Sequence, residues 1–393
     1  MKEGWEYKKL GDLTTTINGL WTGKKPPFIN IAVVRNTNFT KDCKLDMTNV
    51  AYLDVEEKQF RTRKLQYGDI IIEKSGGSEK QPVGRPVFFN IEDGDYSFSN
   101  FTSTLRIKDK VDLDPRFLHY SLMGAYKRGA TSKMQAKTTG IHNLDFKAYL
   151  KLLIPMPQIN EQQQIVSELD LLSGVIEKQK AQLEELDKLA QSIFYDMFGE
   201  KDWEKKKIKE IATVKIGPFG SSLHQHDYIS GGTPLVNPTH MVNGKIVVDN
   251  NFTIDEDKKK ELSAYLLKEN DVVFGRRGDI GRCALVTKEE DGYLCGTGSL
   301  FVRFNIEIAP IYSLIQLSSN ATRQYLVDNA RGATMLNLNS NVIEGITIPL
   351  PPLALQQEFA AKVEAIESMK AKVRQSLAET ETLFNSRMDY YFN

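Results

Sequence analysis

The chain has 393 residues and balances 51 Lys and Arg against 51 Asp and Glu, a length that suits two or three domains, each able to bury its own core. No apolar run is long enough to span a bilayer, and the opening MKEGWEYKKLGDL is charged where a secretory leader would be apolar, so a soluble intracellular protein is the expectation. Zero net charge withholds the usual footprint of a nucleic-acid binder, and Cys43, Cys283 and Cys295, without ligand spacing, read as thiols of a cytoplasmic, reducing compartment.

Charge is nevertheless segregated along the chain. A first globular block, 1–157, carries 25 Lys and Arg against 18 Asp and Glu. Short β-branched runs broken by Gly, Asn and Asp, such as NIAVVRNTNF, predict strands there, and a helix is expected around Pro115–Arg128. A first long helix follows over 158–200, with 3 basic against 9 acidic residues. Its apolar residues Ile165, Leu169, Leu172, Ile176, Leu183 and Leu186 step by four and three, and only Gln179 interrupts the series. That is a heptad seam. A second block, 201–351, is charge-balanced, with strand-like runs in GKIVVDNNFTI and GYLCGTGSLFVRF and helix around Pro310–Asn329. A second long helix spans 352–393, with Phe359, Val363, Ile366, Val373, Leu377 and Phe384 on its stripe and Lys370 and Thr380 at the weak positions. Forty helical residues reach about 60 Å.

The order block–helix–block–helix is a repeat. IPMPQINEQQQIVSELDLL from Ile154 aligns without a gap on IPLPPLALQQEFAAKVEAI from Ile348, and FYDMF near the end of the first helix meets MDYYF at the end of the second. WEYKKLGDL from Trp5 resembles WEKKKIKEI from Trp203, YGDIIIEKSGG at Tyr67 is echoed by ENDVVFGRRGD at Glu269, and RGAT occurs at Arg128 and Arg331. Pro155 and Pro157, like Pro349, Pro351 and Pro352, force an extended approach to each helix. The glutamines that follow are expected to satisfy free amides at the helix N-terminus. One amphipathic helix alone would be expected to pack on its own domain; two copies with matched starts and aromatic ends favour mutual pairing. The fold class is α+β, with two pseudo-symmetric α/β blocks separated by two long helices.

A search for chemistry finds none that the residue patterns support. NPTH at Asn237 has only part of the loop that holds a flipped base for amino methylation. GRRGDIG at Gly275 lacks the strand–turn–helix setting of a cofactor loop. EEK at Glu56 and DEDKKK at Asp255 read as solvated charge, and His224, His226 and His240 have no companion at metal-ligand spacing. Catalytic and metal sites are expected to be absent from this chain.

A kept framework with two diverged blocks describes a reader of two unlike half-sites on duplex DNA. Here the chain resembles the specificity subunits of Type I restriction-modification enzymes. The likeness rests on two blocks, each followed by a long helix reached through IPMPQINEQQ or IPLPPLALQQ, and on NGLWTGKKPPFINIAVVRNTNF and GPFGSSLHQHDY as variable recognition segments. The resemblance implies two target-recognition domains and an antiparallel coiled coil of the long helices. It also implies that this chain binds double-stranded DNA without catalysis of its own, docking two modification (methyltransferase) subunits and translocating restriction subunits. S-adenosylmethionine, and ATP with magnesium, would sit on those partners. The N-terminal segment should pack near the C-terminal helix. Two other readings stay open: the recognition subunit of another restriction class, and a coiled-coil scaffold whose globular blocks bind protein.

If the blocks read DNA, polar and basic side chains in Gly-bounded loops should make the contacts. In the first block these are Lys24, Lys25, Arg35, Asn36, Asn38, Lys74, Ser75 and Ser78, with Lys133 and Gln135 on a phosphate-holding stripe beside Lys127, Arg128 and Lys137. In the second they are Ser221, Ser222, His224, Gln225, Asn237, His240, Arg276, Arg277, Asn337 and Asn339.

Overall fold

A computed structural model describes the chain except residues 1, 3, 22, 24, 80, 139–140, 200, 278–280 and 331–337, with backbone alone at 137, 138 and 141. The chain divides into two compact units, residues 1–181 with 374–393 and residues 182–373. Each division falls inside a long helix, so a unit is one globular block plus half of each helix.

In the first unit Glu6–Lys9 pairs antiparallel with Leu153–Met156, the strand that carries the Ile-Pro sequence. The chain then turns into a four-stranded antiparallel sheet ordered Thr14–Asn18, Thr102–Ile107, Ile70–Glu73, Pro86–Phe88. Ile70, Ile71 and Ile72 are fully buried, because both faces of this sheet are covered. Ile70 and Ile72 pack against helix Pro115–Lys127 through Phe117 and Leu122. Ile71 faces Val34 and Phe98 of a second sheet, ordered Ala51–Glu56, Phe28–Val34, Tyr96–Phe98. An unbroken apolar run is what a strand sandwiched in this way requires.

The second unit repeats the plan. Lys205–Lys207 pairs with Thr347–Pro349, and the main sheet runs Ala212–Ile216, Ser299–Phe304, Val272–Gly275, Cys283–Leu285. The smaller sheet is Thr253–Ile254, Thr233–Val236, Leu294–Cys295, whose last pair is parallel, like Phe28–Val34 with Tyr96–Phe98. One ion pair is duplicated atom for atom. Arg106 donates through Nε and Nη2 to Asp69 at 2.8 and 2.7 Å, and Arg303 to Asp271 at 2.8 and 2.6 Å. The expected helices form over Pro115–Lys127 and, in two pieces, over Pro310–Ser318 and Asn320–Asn329.

The repeated glutamine has a specific duty. Gln162, with no exposed surface, accepts from the Asp114 amide at 2.8 Å and donates to the carbonyls of Asp112 and Pro157 at 3.1 and 2.9 Å. Gln356 does the same work in the second unit, accepting from the Ala309 amide at 3.0 Å and donating to the Pro351 carbonyl at 2.8 Å. Asp114 and Ala309 are the N-caps of Pro115–Lys127 and Pro310–Ser318. These glutamines therefore satisfy a free amide at the start of a neighbouring helix, a correction to the expectation that they serve their own helix. A buried side chain that closes three orphan groups welds the long helix to the block.

The long helices run Ile159–Phe198 and Leu353–Phe392, 40 residues each. In the first unit Glu168 binds Arg387 and accepts from the Tyr391 hydroxyl at 2.6 Å, Lys180 meets Glu381 at 2.9 Å, and Gln179 donates to Ser376 at 2.8 Å. Numbers rise on one helix as they fall on the other, so the pair is antiparallel. The second unit is antiparallel too: Asp187 pairs with Lys370 at 2.6 Å, and Met197 Sδ lies 3.9 Å from the Lys362 ammonium. Ile165, Leu169, Leu186, Phe359, Ile366 and Phe384 are buried on this seam, and Leu172, Ile176, Leu183, Val363, Val373 and Leu377 half-buried. Lys370 keeps its weak seam position by laying its stem on the apolar surface and giving its ammonium to Asp187 and Glu367. The stripe also does what was expected of a lone helix. Ile165 and Leu169 pack with Phe117 and Leu122 of the first block, and Phe359 packs with Tyr312 of the second. Lys2 lies 4.3 Å from the Tyr390 ring centroid, so the N-terminal segment does meet the C-terminal helix. Among the described residues no helix is long and apolar enough to cross a membrane.

Helix Pro115–Lys127 also buries His119, whose Nε2 lies 3.0 Å from the Cys43 carbonyl and so carries the hydrogen. Burial holds the imidazole neutral and lowers its pKa from 6.5 to about 4, with Arg116 adding repulsion. The unfolded chain therefore binds this proton between those values and the folded unit does not. The contribution is complete above about pH 6.5 and is lost as pH falls toward 4, a change of about 3 kcal/mol. Urea titrations at pH 7 and pH 4.5 on the parent and on His119→Gln should show the loss in the parent, with a markedly shallower slope in the variant. Equal slopes would remove His119 from the account.

Candidate nucleic-acid interface

In the first unit the strand Phe28–Val34 runs out into a single 3₁₀ turn, Asn36–Asn38. Asn38 closes that turn from inside, accepting from the Arg35 amide at 3.0 Å and donating to the Asp46 carbonyl at 3.0 Å, with 2% exposure. This leaves Arg35 exposed and Asn36 half-buried, where its Nδ2 donates to the Ser75 carbonyl at 3.1 Å. Lys74 and Ser75 follow the buried strand Ile70–Glu73, and both amides are held by the Phe101 carbonyl, at 2.9 and 3.1 Å. The Lys74 ammonium lies 3.4 Å from Asn18 Oδ1, and partial burial lowers its pKa. The Ser75 hydroxyl donates to Asn143 Oδ1 at 2.6 Å. The ends of the two sheets thus gather Asn18, Arg35, Asn36, Lys74, Ser75 and Asn143. Asn143 sits on Ile141–Leu144, between Ser75–Gly77 and Gln135–Thr138, so the ribbon also brings Gln135 alongside, its Oε1 2.8 Å from His142 Nδ1.

The same places are filled differently in the second unit. Asn237 stands where Arg35 stands and His240 where Asn38 stands, again after a central strand and again closing a 3₁₀ turn, Pro238–His240. His240 is buried, its Nδ1 2.8 Å from the Leu235 carbonyl. Arg276 and Arg277 follow Val272–Gly275 as Lys74 and Ser75 follow Ile70–Glu73. The Arg276 amide donates to the Gly298 carbonyl at 2.9 Å and its Nε to the Leu338 carbonyl at 3.1 Å. Burial lowers the Arg276 pKa, and neighbouring Arg277 pushes the same way. Arg277 is exposed. The Leu338 amide bonds the Arg276 carbonyl at 3.0 Å as Leu144 bonds Lys74 at 2.8 Å.

Of the loop residues expected to contact DNA, the structure brings Arg35, Asn36, Lys74, Ser75 and Gln135 together in one unit and Asn237, Arg276 and Arg277 in the other. Asn38 and His240 are interior turn-closing residues, and Asn339 accepts from the Val342 amide at 3.0 Å as the cap of Ser340–Glu344. Each of the three thus makes a hydrogen bond that fixes the turn or helix start where it sits. Ser78 accepts from the Gln81 amide at 3.2 Å within its turn, Lys25 is exposed beside Glu56, and Lys133 is exposed. Ser221, His224 and Gln225 are exposed and Ser222 half-buried on the loop after Ala212–Ile216. Lys24 and Asn337 lie outside the described residues. Sequence reasoning missed Asn18 and Asn143; the echo of IHNLDF in LNLNS was the available signal for Asn143.

Of the histidines considered as metal ligands, buried His240 lies apart, but the ligand atoms of His224, His226 and Asp227 come within 4.8 Å of one another, a correction to the expectation that they have no companion at ligand spacing. His224 and His226 stack at 5.3 Å and are joined by Asp227, but the Asp227 carboxylate accepts from the His224 amide at 2.6 Å and has Lys258 Nζ at 3.6 Å. An ammonium already balances that carboxylate.

Comparison with known proteins agrees with this geometry. The family described as Type I restriction modification DNA specificity domain matches residues 2–188 and again 200–379. The chain is 24% identical over 419 residues to the Type I restriction enzyme EcoKI specificity subunit of Escherichia coli K12, covering 98% of this chain and 88% of that one. It is 25% identical over 395 residues to the putative type I restriction enzyme MjaX specificity subunit of Methanocaldococcus jannaschii, covering 93% and 88%. In fold it is similar to the S subunit of the Type I restriction-modification system of M. genitalium, with a TM-score of 0.58 at 14% identity over 99% and 96% of the two chains. With both copies of the family's domain in place, and with each unit presenting a polar cluster on the same frame, the chain belongs to the Type I restriction-modification DNA specificity family, whose work is to recognise DNA sequence.

Proposed function

We propose that this chain reads a bipartite, asymmetric duplex site and aims adenine methylation and cleavage by partner subunits. The observation that carries the reading is the duplicated frame with unlike side chains: Arg35, Lys74 and Ser75 in one unit stand where Asn237, Arg276 and Arg277 stand in the other. Arginine and lysine favour guanine edges and phosphates, asparagine favours adenine, so equal frames with different residues select different half-sites. The chain itself supplies no catalytic group in this reading. S-adenosylmethionine belongs to two modification subunits, ATP with magnesium belongs to restriction subunits, and the complex works in the cytoplasm. Two copies of one partner are supported by two equivalent apolar residues, Leu189 and Leu383, 44% and 49% exposed at matched positions of the long helices.

Mapping N6-methyladenine across the genome of a methylation-free host tests the reading. Cells expressing this chain with its modification subunit should carry a bipartite motif that is missing with the modification subunit alone. Lys74→Ala and Arg277→Ala should each relax or weaken one half only, by ten- to a hundredfold for a lost base contact. Methylation that ignores this chain, or variants that change neither half, would defeat it.

A further inference from the structure

The two loops that leave the first strand of each main sheet differ in length and sequence, yet both begin with a glycine and project an aromatic two residues on. After Thr14–Asn18 the chain reads Gly19-Leu20-Trp21, and after Ala212–Ile216 it reads Gly217-Pro218-Phe219. Both glycines are demanded by close approach. A Cβ on Gly19 would sit 1.9 Å from the Ser99 carbonyl oxygen, and one on Gly217 would sit 2.1 Å from that of Gly296. The middle residue is buried in each case. The aromatic that follows is left outside, Trp21 at 64% and Phe219 at 74% exposure.

A single exposed aromatic needs no explanation. Two at the same place, on loops otherwise unlike and pinned by the same backbone contact, do. A ring left in water forgoes a large burial that contact with a ligand would restore. Both loops start at the polar clusters. Asn18, which meets Lys74, immediately precedes Gly19, and Gly296, against which Gly217 is packed, also crowds Asn237. Exposed rings beside DNA-reading loops act by stacking on a base face or by wedging a base step apart. Methylation of an adenine takes that base out of the helix and leaves unstacked faces beside it.

We propose that Trp21 and Phe219 are apolar wedges, one for each half-site, that stack on bases unstacked in the recognised duplex. This rests on the DNA-reading role argued above and adds to it a contact of a different kind from the polar clusters.

The chain has three tryptophans; Trp5 and Trp203 are half-buried and Trp21 is exposed, so Trp21 is its own reporter. The assembled complex with modification subunits is titrated with a duplex carrying its methylated motif, with Trp21→Phe as background and Phe219→Trp in that background as the second reporter. Stacking should quench each indole, and scrambling one half-site should abolish one signal while leaving the other. Trp21→Ala and Phe219→Ala should each weaken binding about tenfold or more, with Trp21→Phe retaining affinity. Unchanged fluorescence from both reporters, alongside full-affinity binding by anisotropy of a labelled duplex, would overturn the wedge and leave the DNA-reading role standing. A complex that binds no duplex at all, despite correct assembly, would overturn that role itself, and the wedge with it.

Discussion

Glu73→Ala should cost the first unit about 3–5 kcal/mol, because it strands a cation in the interior. Arg85 is buried, with 5% of its side chain exposed against 2% for Glu73, and its Nη2 lies 3.1 Å from the carboxylate. Its Nη1 donates to the carbonyls of Phe39 and Thr40 at 3.1 and 3.2 Å, so the same guanidinium ties down the loop after the Asn36–Asn38 turn. Burial raises the Glu73 pKa even with Arg85 beside it. The pair is therefore no large source of stability while intact; the cost appears when one partner is removed. Arg85→Ala should be comparably damaging and should loosen the Arg35 loop as well. In the second unit Gly275 occupies the place of Glu73, so the effect should stay in one unit. Urea unfolding followed at Trp5, in a Trp21→Phe, Trp203→Phe background, reads the first unit alone. A midpoint shift worth less than about 1 kcal/mol for both variants would show that the interior accommodates the charge.

Phe359→Ala carries the second large effect, again about 3–5 kcal/mol, from a cavity the surroundings cannot fill. Phe359 is fully buried against Phe194 and Phe198 at ring-centroid separations of 5.6 and 5.2 Å, and Tyr312 completes the cluster. Three elements meet there: both long helices and Pro310–Ser318. Tyr312 in turn donates to the Pro349 carbonyl at 2.9 Å, so the approach to the second helix is fastened to the same spot. Phe359→Leu should recover roughly half of the loss. Unfolding followed at Trp203 reads this unit, and an unchanged transition there would mean that the second helix pairs without its aromatic anchor.

These two sites explain why the framework tolerates such different loops. The Asp69–Arg106 and Asp271–Arg303 pairs, the capping glutamines and the helix seam are made by partly or fully buried groups, while Arg35 is exposed beside the turn closed by Asn38 and Arg277 is exposed after Val272–Gly275. Side chains at the exposed positions Arg35 and Arg277 can change without breaking the hydrogen bonds of Asn38 or His240. Specificity can then drift in one block while the other keeps its half-site.

Much of this architecture was legible in the amino-acid sequence because local chemistry repeated. The Ile-Pro approach, the two glutamines and the four-and-three spacing from Ile165 to Leu186 state a duplicated block and helix, since proline, heptad spacing and strand-like runs constrain the backbone wherever they occur. Family membership followed from that order of parts. The sequence could not say that Gln162 serves the neighbouring helix starting at Pro115, nor that Asn38 and His240 are buried while Arg35 is exposed and Asn237 half-buried. Those assignments depend on which strand ends the folded sheets bring side by side. Asn18, Lys74 and Asn143 are far apart in the chain and meet only through sheet order. Local propensity decided the elements; long-range pairing decided which polar groups are partnered inside and which are left facing a ligand.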